Sequence, residues 1–233
     1  MDWNAAIENN REALKRVLAA LVAMMAMADG SAAKTLPRHL YRSVLRLLRP
    51  AESAVRRLIV IAARGIVVTL PPVSTTPNIK ADTPKPAIAR YAFPLLDPLR
   101  TPFRRPPPSR PTAVPRIWAL GGGDRLPIPV RRQPLSDDLV NATRLGLRLQ
   151  ALGRVLENLP TQARRFARWR ARLDDMDRRQ SGPRRFRRLW PLKPGLPPGA
   201  HRSSSGRSSH ELHGILRDLH GLAFWALEKP DTS

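Results

Sequence analysis

Residues 136–180 read SDDLVNATRLGLRLQALGRVLENLPTQARRFARWRARLDDMDRRQ, and the spacing of their apolar residues decides the fold class. Leu145, Leu149, Leu152, Leu156 and Leu159 recur in steps of four and three, which puts them on one stripe of a helix. Ser136 suits an N-cap, and Asp137 and Asp138 suit a first helical turn, where the positive end of the helix dipole favours carboxylates. A helix starting at 136 is therefore expected. Pro160 kinks or restarts it, and Phe166, Trp169, Leu173 and Met176 continue its apolar face. The leucine seam resembles that of a coiled coil, so a partner helix seated on Leu145, Leu149, Leu152, Leu156 and Leu159 is one expected use of it.

Upstream, residues 1–70 read as a module of three helices. Trp3, Ile7, Leu14, Leu18, Leu21 and Met25 keep helical spacing in the first, and Asp29 with Gly30 supplies a stop. Pro37 and Pro50 each suit the first turn of a new helix. The second helix carries Leu40, Val44 and Leu48 on one face and Arg38, Arg42, Arg46 and Arg49 on another. In the third, Val55, Leu58, Ile59 and Ala62 face inward, and Gly65 ends it. Downstream, residues 208–233 read as a short helix and tail. Ser208 and Glu211 have capping-box spacing, and Leu212, Leu216, Leu219 and Ala223 share a side.

Between these parts lie two proline-rich stretches. Residues 71–135 hold 16 of the 25 prolines, a density that removes backbone donors and forbids continuous helix or central strand. They read as a long disordered Pro/Arg-rich linker, and 181–207 as a basic, Pro/Ser-rich disordered segment. The expected architecture is mainly α: small helical modules joined by that linker. A module of about 70 residues is close to the lower limit for a self-sufficient core, so the helical parts are expected to need each other or a partner.

The 41 Lys and Arg outnumber the 18 Asp and Glu, which leaves a net charge of +23 and a long-range field that attracts anionic partners. Of the basic residues 35 are arginine, the preference a GC-rich codon pool produces, so position says more than the total. Residues 1–35 are net neutral, whereas 36–70 carry +6, 71–135 carry +8 and 181–207 carry +7. The absence of cysteine excludes disulfides, thiolate-bound zinc, iron–sulfur clusters and cysteine nucleophiles.

One near repeat stands out: Arg164, Arg165, Phe166, Arg168 and Trp169, then Arg184, Arg185, Phe186, Arg187, Arg188 and Trp190. Guanidiniums pair bidentately with phosphate oxygens and aromatic rings stack on unpaired bases, so each copy suits single-stranded nucleic acid. The same residues suit an anionic lipid surface, or Phe166 and Trp169 belong to a core behind a solvated arginine face. Lying among prolines, the second copy is the better candidate for contact with a ligand.

Other motifs carry less. Arg105, Pro108 and Pro111 fit the R-x-x-P-x-x-P pattern read by SH3-type grooves, a match expected by chance in so proline-rich a stretch. His210, His213 and His220 share a helix, but Arg217 occupies the turn between the last two, so surface histidines are expected and no metal. Asp175 and Asp177 read as partners for neighbouring arginines. No nucleophile elbow, metalloprotease helix or dinucleotide fingerprint occurs, and neither an enzyme nor a cofactor is expected.

The apolar run 17–28 falls short of the roughly 20 residues that span a bilayer. It ends in Ala26, Met27 and Ala28, a small-x-small pattern of signal-peptide type, but Asp2, Glu8, Glu12 and the periodicity from Trp3 favour a core helix. A cytoplasmic protein that binds an anionic polymer is therefore expected. The alternatives are attachment to an acidic leaflet through helices 17–28 and 38–49, or a helical interaction scaffold.

Overall fold

In a computed structural model, which describes residues 2–26, 34–70, 92–98, 135–179, 190–200 and 210–228, one long helix organises the rest. The chain is mainly helical: α1 (Trp3–Ala26), α2 (Arg38–Ala62), α3 (Thr143–Glu157), α4 (Leu159–Arg179) and α5 (Glu211–Glu228), with the short strands β1 (Thr35–Pro37) and β2 (Leu139–Asn141). Helix α2 touches all four other helices. Its second half, from Pro50 to Ile61, is buried on every side, the polar residues Glu52, Ser53, Arg56 and Arg57 included. Leu14, Val17 and Leu21 of α1, the α3 seam, and Leu212, Leu216 and Leu219 of α5 join α2 in one core. The helices from the two halves of the sequence thus share that core. None of the described helices is long and apolar enough to cross a membrane.

The Asp2 carboxylate, which is not among the caps expected from sequence, accepts the backbone N–H groups of Asn4 and Ala5 (2.9 and 3.1 Å) and so caps α1. Two local expectations hold. Gly65 takes a positive φ of 74° in the turn just past α2. Pro160 sits in the first turn of α4 after the break at Asn158, so the helix restarts there. The stops at Asp29 and Gly30, the cap at Ser208 and the motif at Arg105 lie outside the described residues.

Three expectations are corrected. Pro50 does not begin a helix, because α2 runs unbroken through it. The missing N–H and the bulk of the ring cost helix stability, but burial of the whole 50–61 stretch holds the helix together. Ser136, Asp137 and Asp138 do not start α3. The carbonyls of Ser136 and Asp138 accept the N–H groups of His39 and Arg38, both at 2.9 Å, and thereby satisfy orphan donors at the start of α2. Held extended by these bonds, the chain pairs Leu139–Asn141 antiparallel with Thr35–Pro37. Helix α3 begins only at Thr143, whose N–H bonds the Asn141 side-chain oxygen at 2.9 Å. Lastly, residues 92–98, placed in the expected linker, are packed, with Phe93 and Asp97 buried. The remainder of that linker lies outside the described residues, as do 181–189 and 201–207.

Residues 190–200 also dock on the helices, with Leu192 buried. Gly199 has φ +85°, and a Cβ there would lie 2.6 Å from the Pro50 nitrogen and 2.9 Å from the Arg49 carbonyl carbon. Both the conformation and the space demand glycine. Gly199→Ala is expected to cost about 1–3 kcal/mol, seen as a lower urea midpoint. Gly195→Ala, at φ +79° but with open space around it, isolates the strain alone and is expected to cost less.

Candidate functional site

The face of α4 opposite the core is arginine-rich. Phe166 points inward at 1 % exposure and packs against half-buried Trp169, with ring centroids 5.5 Å apart. Arg164, Arg165, Arg168 and Arg172 are exposed. Arg164, Arg168 and Arg172 follow one another every fourth residue, a rise of about 6 Å each, and so form a single row. That row makes one wall of a groove of about 520 Å³, whose other wall is the extended segment Ile66–Leu70. Arg165 leans toward the 92–98 segment, donating to the Phe93 carbonyl at 3.3 Å. Among the described residues, Arg164, Arg168 and Arg172 have no carboxylate partner. Three unneutralised guanidiniums beside an apolar wall can engage the oxygens of an extended polyanion.

The first copy of the repeat is therefore split by the helix, with its arginines outside and Phe166 in the core. In the second copy, Arg184, Arg185, Phe186, Arg187 and Arg188 lie outside the described residues. Trp190 is half-buried and stacks on Phe224 with centroids 5.8 Å apart. The leucines of the α3 seam, Leu145, Leu149, Leu152, Leu156 and Leu159, are all buried within this chain.

A second cluster, which the sequence reading missed, is buried beneath α5. Arg56 and Arg57 of α2 converge on Asp97: Arg57 bonds both carboxylate oxygens (3.4 and 3.1 Å) and Arg56 one (3.4 Å). Asp97 also accepts the Lys193 backbone N–H at 2.9 Å, and its own N–H bonds the Pro191 carbonyl at 3.0 Å. On the other side, Glu52 takes a bidentate pair from Arg148 of α3, both contacts at 2.8 Å, and lies 3.6 Å from Arg56. Arg57 Nε donates to His220 Nδ1 at 2.9 Å, and Arg57 Nη1 donates to the Ser53 hydroxyl at 2.6 Å. Burial pulls the Arg57 guanidinium below its ordinary value and Asp97 opposes this, but an arginine stays charged regardless. Burial, and then the charge of Arg57, hold His220 below the ordinary histidine value of 6.5, against a hydrogen bond to the Gly195 backbone and the Asp97 charge.

One signal for this cluster was present in the sequence. Arg56 and Arg57 interrupt an otherwise apolar run, so a helix buried all round had to take them inside. Among the described residues, no group of three or more His, Asp or Glu could hold a metal ion. Comparison with known proteins finds no matching family model, curated protein or solved structure.

Proposed function

We propose that this chain is a non-enzymatic protein that binds single-stranded nucleic acid along the arginine row of α4. The observation that carries the reading is the row itself: Arg164, Arg168 and Arg172 on one exposed face, lining a groove and, among the described residues, without carboxylate partners. A net charge of +23 supports it by drawing a polyanion toward the surface. By sequence, Arg165 and the second cluster, Arg184, Arg185, Arg187 and Arg188, extend the phosphate contacts. Phe186 is the aromatic residue proposed to stack on a base. Phe166 and Trp190 pack against the protein's own rings, so the reading does not rest on them.

The test is the salt dependence of binding to a labelled single-stranded oligonucleotide. Each phosphate neutralised on a single strand contributes about −0.7 to the slope of log affinity against log salt. Changing Arg164, Arg168 and Arg172 together to glutamine is therefore expected to flatten the slope by about 2. All three side chains are on the surface, so helix content stays unchanged. An unchanged slope overturns the reading. Binding to anionic vesicles without binding to the oligonucleotide replaces it with the acidic-membrane one.

A further inference from the structure

We infer that His220 is an acid-sensitive latch: its unprotonated Nδ1 holds Arg57, and a proton on that nitrogen undocks segments 92–98 and 190–200 from α2. The geometry requires a lone pair on Nδ1, because Arg57 Nε donates to it at 2.9 Å and an arginine donor has no acceptor to offer in return. The ring also bonds the backbone of Gly195. A neutral His220 therefore joins α5, α2 and the 190–200 segment at one point. Once Nδ1 carries a proton, two donors and two positive charges face each other in a partly buried place.

The surroundings cannot absorb that second charge. From α2, His220 is faced by Arg57, with Arg56 behind it; from 92–98 by Asp97; and from 190–200 by the Gly195 backbone. Its own helix carries Arg217 and Asp218, both exposed. Helix α1 meets α5 through Arg16 with Glu211 and Trp3 with Trp225, on either side of His220 along the helix. Asp97 already accepts from Arg56, Arg57 and Lys193, and Glu52 is occupied by Arg148 and Arg56. Neither acid has a free oxygen to offer an imidazolium.

Release of the two segments is coupled. They are joined to each other by the Lys193 N–H to Asp97 and the Asp97 N–H to Pro191; 92–98 meets α2 through Arg56 and through the Arg57 guanidinium that His220 orients, and 190–200 reaches that guanidinium through the same Asp97 carboxylate. The sign follows from proton linkage. With the folded-state value of His220 held below 6.5, the unfolded or undocked form binds the proton more readily. Docking is complete above about pH 6.5, the ordinary histidine value, and weakens as pH falls from there through the lower folded-state value, beyond which no further loss follows. Phe224 stands edge-on to His220 with centroids 4.8 Å apart and stacks on Trp190, so Trp190 emission reports the event.

Hydrogen exchange of the full-length protein, corrected for intrinsic rates and followed by mass spectrometry at about pH 7.5 and about pH 5, tests the latch without any ligand. Exchange in 92–98 and 190–200 is expected to rise at the lower pH, while α3 stays protected. His220→Gln keeps an acceptor but takes no proton, and is expected to remove the pH dependence. The latch is overturned if wild type shows no such rise, or if the variant shows the same one. Should His220→Gln fail to fold, the wild-type protein decides: the Trp190 shift must share its midpoint with the His220 titration measured by NMR. Separate midpoints overturn the proposal.

Discussion

Asp97→Ala is expected to destabilise the protein by about 3–5 kcal/mol, the range for removing one partner from a buried ion pair. Asp97 is 1 % exposed and faces Arg56 and Arg57 at 3 % and 0 %. Without it, two guanidiniums stay inside α2's buried half with no carboxylate between them, and the Lys193 N–H loses its acceptor. The total stability of a small domain is about 5–15 kcal/mol, so this one change removes about a fifth of it or more. The measurement is a urea unfolding midpoint by circular dichroism. Asp97→Asn keeps the shape and one acceptor, and is expected to fall between wild type and alanine. The exposed pair Arg16–Glu211, 3.7 Å apart, gives the contrast, since Arg16→Ala is expected to cost less than about 1 kcal/mol. Equal losses at Asp97 and Arg16 would mean that the buried cluster holds nothing in place.

The cluster also marks the boundary of what the sequence disclosed. Helical period alone located α1, α3, α4 and α5, because each keeps its apolar residues on one stripe; Leu145 to Leu159 and Leu212 to Leu219 are core, whereas the α4 stripe is buried at Phe166, half-buried at Trp169 and Leu173 and exposed at Met176. Period could not say what covers a stripe, so the leucine seam read equally well as a site for a partner helix. Pro50 misled because its local cost was visible and the tertiary burial that outweighs it was not. Strands β1 and β2 lie about a hundred residues apart, and no local pattern announces such a pairing. Asp97 is one of three acids in the proline-rich stretch 71–135, and its bond to Arg57 spans 40 residues. The arginine row of α4 was legible in part, since Arg164 and Arg168 of the repeat lie opposite an apolar stripe, but Arg172, which completes the row, was missed, and so was which ring of the repeat faces inward.

Phe166→Ala decides that last point and carries the other large effect. The ring is 1 % exposed, packs on Trp169, and lies under the cleft lined by Val60, Ile66 and Val68. Its truncation leaves a cavity that these neighbours cannot all close, and is expected to cost about 3–5 kcal/mol by urea unfolding. Arg168→Gln, two residues further on and on the opposite face, is expected to change stability by less than about 0.5 kcal/mol. Binding reverses the order. Stacking of a base on an aromatic ring is worth about 1–3 kcal/mol, so a stacking role for Phe166 predicts a loss of oligonucleotide affinity at least several-fold per folded molecule. With the ring buried, affinity corrected for the folded fraction is expected to stay at the wild-type level in Phe166→Ala and to drop in Arg168→Gln. A large affinity loss at Phe166 with stability intact would turn the residue outward and move the binding face of α4 with it.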